Sequence, residues 1–223
     1  ALGLAMFNDH AQITTVDLKG NEVASQKLTV PYSNEEEYFQ KICELIKNFV
    51  EAIHLNDDQI LGLGVAIPGL VSPDHQTVLY GKILNCGGLT TARFERYLPY
   101  TVNFFHDANC VAYAEHFKTK ERRDSIYLSL GQHLGTAIMI NDKIYTGENG
   151  RSGTMEHVIF TADSPRKCYC GRYGCFETYI SLSSLLKPNE QLADFMAGLS
   201  SNDENQKRWD QYLEYLAEAI NNL

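Results

Sequence analysis

The chain has 223 residues, of which 44% are hydrophobic and 21% charged, a composition typical of a globular protein with one large or two small domains. Its 19 lysines and arginines against 28 aspartates and glutamates give a formal net charge of −9, which argues against a basic groove for nucleic acid. We find neither a signal peptide nor an apolar run near the ~20 residues of a membrane span, so we expect a soluble, cytoplasmic protein.

The first half of the chain predicts a β-meander, then helices and strands in alternation. A turn at 19–21 separates two of the early strands, and Asn34 is the predicted N-cap of an amphipathic helix that continues to Ile53. The predicted strands are 2–7, 12–18, 22–30, 60–67 and 101–105, with a short helix over 91–97.

The second half repeats the meander. A helix begins at 106–109, strands follow at 125–130, 135–140 and 143–146, and a glycine-rich loop covers 147–176. Helices are predicted over 177–186, 190–199 and 204–223, the last with an aromatic face suited to core or dimer packing at Trp209, Tyr212, Tyr215 and Leu216. We therefore predict two α/β lobes, 1–106 and 107–223, with a ligand cleft between them.

Neither end of the sequence predicts a domain boundary. The chain opens without methionine on an apolar run and closes inside a helical pattern. We therefore expect that the natural chain contains further residues, and the charge of residues 1–223 does not argue against a further domain outside them.

Three cysteines lie close together near the end of the 147–176 loop. Residues 168–175 read Cys-Tyr-Cys-Gly-Arg-Tyr-Gly-Cys, and His157 lies upstream. The thiolates of Cys168, Cys170 and Cys175 with one imidazole make a closed tetrahedral shell for a structural Zn²⁺. The alternatives are a disulfide, which a cytoplasmic location disfavours, or a set of unrelated buried thiols.

The cysteine stretch continues to Glu177 and resembles the hallmark of the ROK family (repressors, open reading frames, kinases), Cys-x-Cys-Gly-x-x-Gly-Cys-x-Glu, without departure. Residues 63–69 are similar to the family's Gly-x-x-x-Pro-Gly loop, 85–89 to its sugar-contacting loop and 106–109 to its Asp-Ala-Asn stretch. The resemblance implies the two-lobed actin-like or hexokinase-like (ribonuclease H-like) α/β fold, with a sugar or sugar phosphate in the cleft.

Two loops depart from the family's kinases. Those kinases carry Asp-x-Gly-Gly-Thr after the first strand, and its backbone amides hold the phosphates of ATP. Residues 6–12 read Met-Phe-Asn-Asp-His-Ala-Gln with no glycine, and the second phosphate loop is altered to Gly-Gln-His-Leu-Gly-Thr at 131–136. The sequence therefore resembles the repressor branch, the sugar-responsive regulators of N-acetylglucosamine, glucose or xylose genes.

This resemblance implies a sugar-sensing effector and dimerisation domain rather than an enzyme. Its partners would be a sugar and a second copy of the chain, in a homodimer or larger assembly. DNA would be contacted only by a winged helix-turn-helix outside these residues. The alternative is an ATP-dependent sugar kinase with Asp107 as general base. A constitutive assembly module that binds no ligand is a third hypothesis.

The sugar site implied by the resemblance is altered. The family motif Gly-x-x-Gly-Glu-x-Gly-His falls on 150–157, where Thr154 replaces the sugar-binding glutamate and Glu156 replaces a glycine. Glu156 is expected either to restore the lost carboxylate or to block the pocket. The candidate ligand-binding residues are Asn85, Asp107, Thr154, Glu156, His157 and Glu177.

Several of these residues also have structural interpretations. Asp107 and Glu177 fit helix caps, and Asn85 fits a turn. The histidines other than His106 and His157, His133 among them, are interpreted as surface or satisfied polar residues. The cysteines at 43, 86 and 110 are interpreted as small buried hydrophobes.

Overall fold

The computed structural model describes residues 1–119 and 123–223. The chain divides into two compact units, Ala1–Cys110 (unit 1) and Val111–Leu223 (unit 2). The lobe boundary predicted after residue 106 stays a prediction. Among the described residues, no helix is both long and apolar enough to cross a membrane.

Unit 1 is built on a mixed five-stranded sheet. The strands of unit 1, two of which lie outside this sheet, are β1 (Leu2–Met6), β2 (Ala11–Val16), β3 (Glu22–Leu28), β4 (Leu63–Ile67), β5 (Leu70–Val71), β6 (Val78–Tyr80) and β7 (Val102–His106). The main sheet has the order β3-β2-β1-β4-β7, and β5 pairs with β6 in a separate hairpin. The first three strands form the predicted antiparallel meander, whereas β4 pairs in parallel with both β1 and β7.

One face of this sheet and one face of a long helix form the core of unit 1. In β1 the residues Leu2, Leu4 and Met6 are buried in alternation with partly exposed ones, because successive side chains of a strand point to opposite faces. The helix α1 (Glu36–Ala52) buries residues at helical spacing: Tyr38, Phe39, Ile42, Cys43, Ile46, Phe49 and Val50. The predicted amphipathic helix is therefore confirmed, and Cys43 is buried as predicted.

Two local predictions in unit 1 differ from the structure. The predicted cap at Asn34 is wrong, since α1 begins at Glu36 and the Glu35 amide donates to the Ser33 hydroxyl (3.2 Å). The β5–β6 hairpin was not predicted, because strands of two and three residues are too short to show an alternating pattern. Two further helices of the chain are α2 (Ala92–Glu95) and α3 (Asp107–Lys118).

Unit 2 combines a three-stranded antiparallel sheet with a helical layer. Its elements are β8 (Ser125–Leu130), β9 (Leu134–Ile140), β10 (Lys143–Ile144), α4 (Glu177–Ile180), α5 (Leu182–Leu185), α6 (Leu192–Gly198) and α7 (Asp203–Asn221). The sheet order is β10-β9-β8, so the second predicted meander is confirmed. The helix predicted over 177–186 is interrupted at Ser181, whose hydroxyl donates to the Glu177 carbonyl (2.6 Å).

The helices of unit 2 pack around a second hydrophobic cluster. Its buried residues are Leu134, Phe176, Tyr179, Ile180, Leu185, Phe195, Tyr212 and Ala219. Trp209, Tyr215 and Leu216 pack against this cluster, so the aromatic face of α7 contributes to the core. The core therefore holds Phe176 and α4, which directly follow the cysteine loop.

Replacing Phe39 with alanine is expected to destabilise unit 1 by about 3–5 kcal/mol, because the cavity left by a buried phenyl ring is only partly refilled. Phe39 is fully buried, and its ring makes edge contacts with Tyr38 and Phe94, both at 5.3 Å between centroids. Urea unfolding followed by circular dichroism measures the loss. Phe117, 59% exposed, is the control, and a Phe117→Ala variant as unstable as Phe39→Ala would contradict the assignment of the core.

Candidate metal centre and ligand site

The cysteine loop of unit 2 is a tight backbone hairpin. Lys167 and Tyr173 form an antiparallel bridge, and the Cys168 amide donates to the Arg172 carbonyl (2.8 Å). A second bridge joins Ile159 to Cys175. This bridge brings the segment after His157 alongside the end of the hairpin, although the two segments are well separated in sequence.

Four potential metal ligands meet in this loop. One ligand atom each from His157, Cys168, Cys170 and Cys175 lies within 4.8 Å of all the others. The Sγ atoms of Cys170 and Cys175 are 3.8 Å apart, and Cys168 Sγ is 3.6 Å from Nδ1 of His157. Tetrahedral Zn²⁺, with Zn–S about 2.3 Å and Zn–N about 2.0–2.1 Å, requires ligand separations of about 3.8 Å for S–S and about 3.6 Å for S–N. The donor set and its spacing therefore fit a tetrahedral metal ion.

The pKa values of these groups follow from burial in a cluster of thiols. Burial raises the pKa of Cys168 to about 12 and also raises that of Cys175. At Cys170 burial acts in the same direction, but hydrogen bonds from Arg172 and the neighbouring thiols outweigh it and lower the pKa. Burial, with the positive charge of Arg172, lowers the pKa of His157 and so favours the neutral imidazole that metals bind. The raised pKa values keep Cys168 and Cys175 as neutral thiols, and binding of a metal cation would displace their protons.

Glu177 lies at the start of α4, two residues after the last cysteine, and it is buried (3% exposed). Its Oε2 accepts the Leu134 amide hydrogen, and its Oε1 pairs with Nδ1 of His133, both at 2.7 Å. His133 lies in the loop between β8 and β9. A second contact holds this loop, since the Leu182 amide donates to the Gly131 carbonyl (2.9 Å). This loop is the one that corresponds to the altered second phosphate loop.

Glu156 is the second buried carboxylate of unit 2, at 7% exposed. The Thr136 hydroxyl accepts the Met155 amide hydrogen (2.6 Å), and its single hydrogen faces two acceptors, the Gly153 carbonyl and Oε2 of Glu156 (2.9 Å). Thr154 instead donates its hydroxyl to the Arg151 carbonyl in its own turn (2.6 Å). Both buried carboxylates thus contact β9, Glu177 at the Leu134 amide and Glu156 at the Thr136 hydroxyl, whereas Thr154 is hydrogen-bonded within its own turn.

The turn between β1 and β2 is closed by side chains. The Phe7 amide donates to the His10 carbonyl (3.0 Å), and the two rings stack with centroids 4.5 Å apart. Nδ1 of His10 lies 2.7 Å from Asp9, and this hydrogen bond holds the pKa of Asp9 below its usual value. The turn therefore carries a stacked aromatic pair and a carboxylate at the place where the kinase resemblance would require a glycine-rich phosphate loop.

Asn85 and Asp107 belong to unit 1. Asn85 is exposed and has φ +51°, a left-handed conformation in which asparagine is enriched. Asp107 begins α3 directly after β7, accepts the Ala108 amide hydrogen (2.8 Å) and is 47% exposed. Burial lowers the pKa of the adjacent His106, so that ring is neutral beside an accessible carboxylate.

The sequence analysis missed two residues that contact the buried carboxylates of Glu177 and Glu156. His133 was interpreted as an ordinary polar residue, but it pairs with Glu177, 44 residues away along the chain. Thr136 was assigned only to the altered phosphate loop, but its hydroxyl contacts Glu156 (2.9 Å). Position in the chain could have identified His133 as a candidate, because it lies in the loop that corresponds to the kinases' second, glycine-rich phosphate loop.

The ROK family pattern matches residues 1–223, and the chain belongs to the ROK family. It is 28% identical to the N-acetylglucosamine repressor of Escherichia coli O157:H7 over 80% of this chain and 44% of that one. It is 29% identical to the xylose repressor of Bacillus subtilis over 84% and 49% of the two chains. The chain thus spans about half the length of these curated relatives. An N-acetyl-D-glucosamine kinase of Pectobacterium carotovorum is 28% identical over 80% and 62%.

Solved structures agree on the fold. A ROK family transcriptional regulator described as a homologue of the E. coli MLC protein superposes with a TM-score of 0.78 at 18% identity, over 98% of this chain and 60% of that one. A ROK glucokinase from Streptomyces griseus, in complex with glucose and AMPPNP, gives a TM-score of 0.74 at 23% identity, over 92% and 62%. The predicted α/β hexokinase-like fold and the family are therefore confirmed.

Proposed function

We propose that this chain is the sugar-sensing part of a ROK transcriptional regulator. The observation that carries the proposal is the state of its two phosphate-type loops. The Leu134 amide, at the start of β9 and within the altered second phosphate loop, already donates to the carboxylate of Glu177, and the Phe7–His10 turn holds a second carboxylate, that of Asp9. Anion binding needs free amides, so neither loop is suited to a triphosphate. Curated repressors are among the most similar relatives, at 28–29% identity.

The proposal includes a structural Zn²⁺ held by His157, Cys168, Cys170 and Cys175. A shell of four protein ligands leaves no open position for a substrate, so the ion would brace the loop rather than take part in catalysis. Since Nδ1 of His157 faces the thiol of Cys168, its Nε2 is the nitrogen left for a ligand hydroxyl or another partner.

The sugar would be bound by side chains that accept hydrogen bonds from its hydroxyl groups. The residues assigned to it are Asn85, Asp107, Thr154, Glu156, His157 and Glu177. Carboxylates suit this role because each of their oxygens can accept two hydrogen bonds, so Glu177 keeps an acceptor site on each oxygen beside those used by Leu134 and His133. Glu156, buried and held by Thr136, replaces the family glutamate from a shifted position. Because residues 1–223 carry a net charge of −9, DNA would be contacted by a segment outside them. Residues 1–223 would mediate self-association.

Two observations favour a second candidate function. Asp107 keeps an accessible carboxylate at the end of a parallel strand, and kinases are among the relatives. In a sugar kinase Asp107 would accept the proton of the attacking hydroxyl.

Calorimetry with a panel of hexoses, amino sugars and their 6-phosphates tests the sensor proposal. We expect at least one compound to bind below millimolar concentration, and Glu177→Gln to weaken it by about 10–100-fold, the worth of a hydrogen bond to a charged group. The exposed Glu148→Gln is the matched control. No sugar-dependent release of ADP from ATP is expected. Release that Asp107→Asn abolishes would favour the kinase, and binding of no sugar at millimolar concentration would refute the sensor.

A further inference from the structure

We infer that His133 is a positioning residue that fixes the Glu177 carboxylate for ligand recognition. The inference rests on the proposed function, because it assigns Glu177 to the sugar. It adds a residue that the sequence patterns do not assign to any site. The contact that carries it is the 2.7 Å pair between Nδ1 of His133 and Oε1 of Glu177.

A buried carboxylate requires partners for both of its oxygens. Glu177 is 3% exposed, and its two oxygens have separate partners, the Leu134 amide for Oε2 and the His133 ring for Oε1. The amide alone would leave the carboxylate free to rotate about its last torsion, which is broad for glutamate. With both oxygens bound, the plane of the carboxylate is fixed.

The His133 ring is itself oriented by an aromatic neighbour. Tyr169 lies between the first two cysteines of the cysteine loop. Its ring makes edge contacts with the rings of His133 (centroids 5.2 Å apart, planes at 75°) and of His157, a proposed metal ligand (5.1 Å, 70°). Edge-to-face packing of this kind sets ring planes as well as distances. The cysteine loop and the β8–β9 loop are therefore in contact through the ring of Tyr169.

The ring nitrogen in use decides which substitutions should preserve the contact. His133 reaches Glu177 through Nδ1, and its side chain is 33% exposed. The amide nitrogen of asparagine lies near the position of a histidine Nδ1, whereas that of glutamine lies near Nε2. Asparagine at 133 should therefore keep the hydrogen bond to Glu177, and glutamine should not.

Sugar affinity measured in a double-mutant cycle tests the inference. His133→Ala and His133→Gln are expected to weaken the best sugar of the panel by about 10–100-fold, and His133→Asn by less than about threefold. In a Glu177→Gln background the His133→Ala change is expected to have no further effect, because the residue acts only through Glu177. Zinc content should be the same in all variants. Equal losses in both backgrounds, or no rescue by asparagine, would overturn the inference.

A second measurement does not depend on sugar binding. It therefore distinguishes failure of the sensor proposal from failure of the inference about His133. Heteronuclear NMR of the histidine rings identifies the Nδ1 signal of His133 by its loss in His133→Asn. We expect Glu177→Gln to shift this signal and Glu148→Gln to leave it unchanged. A His133 Nδ1 signal that is insensitive to Glu177→Gln would overturn the inference even in a protein that binds no sugar.

Discussion

Replacing Cys168 with serine is expected to abolish metal binding and to unfold the cysteine loop of unit 2. The four ligands of this loop meet within 4.8 Å, and burial raises the pKa of two of its three thiols. A structural zinc contributes about 10–16 kcal/mol to the folding of small zinc-finger peptides. In this chain the second hydrophobic cluster, which includes Phe176 and Tyr212, stabilises unit 2 as well, so the expected loss is smaller, about 3 kcal/mol or more.

Elemental analysis and thermal unfolding measure this prediction together. Wild-type protein should carry about one zinc per chain, and Cys168→Ser should carry almost none, with a Tm lower by about 10 °C. A strong chelator added to the wild type should reproduce the lower Tm. Cys110→Ala is the control, because Cys110 is half-buried and outside the cluster. Zinc-free protein that melts at the wild-type temperature would contradict a structural role for the metal.

The cluster of potential metal ligands was predictable from sequence because its members lie close together along the chain. Three of its four ligands fall within eight consecutive positions, and the fourth lies eleven residues before the first of them. The side-chain chemistry alone then limits the ion, since three thiolates and an imidazole suit Zn²⁺. The folded chain adds the ligand separations, which no sequence pattern contains.

The strands and helices were predictable to the extent that they show a period. The apolar spacing of α1 and the alternation in β1 extend over enough residues to identify each element. The β5–β6 hairpin is too short for either pattern. The start of α1 was misassigned because Asn34 has a good capping side chain, whereas the folded helix begins after Glu35, which makes no side-chain capping hydrogen bond.

The polar cluster around Glu177 and Glu156 was only partly predictable, because its contacts are long-range. His133 and Glu177 are separated by 44 residues, and Thr136 and Glu156 by 20. A histidine in a loop has no period that identifies its partner. The family resemblance identified the glutamates as candidates, but it assigned no role to His133 or Thr136, which contact them.

Replacing Gly174 with alanine is expected to destabilise unit 2 by more than about 3 kcal/mol, through backbone strain and overpacking combined. Gly174 has φ +74°, and a Cβ there would overlap the carbonyl oxygen of Thr161. Its own carbonyl accepts the Phe160 amide (2.7 Å), and its amide donates to Arg166 (3.0 Å), so the backbone is not free to move away. Because Cys175 is the next residue, the strain reaches the metal ligands directly, and zinc affinity should fall with stability.

Gly171 in the same loop separates the two causes. It also has a left-handed backbone, at φ +93°, but no atom lies within 4 Å of the place where its Cβ would stand. Gly171→Ala should therefore cost only the conformational strain, about 1–2 kcal/mol, and should keep its zinc. Urea unfolding and competition for zinc with a chromophoric chelator measure both variants. Equal effects of the two substitutions would mean that the close approach of Gly174 to Thr161 does not constrain the loop, and that left-handed backbone strain alone explains both glycines.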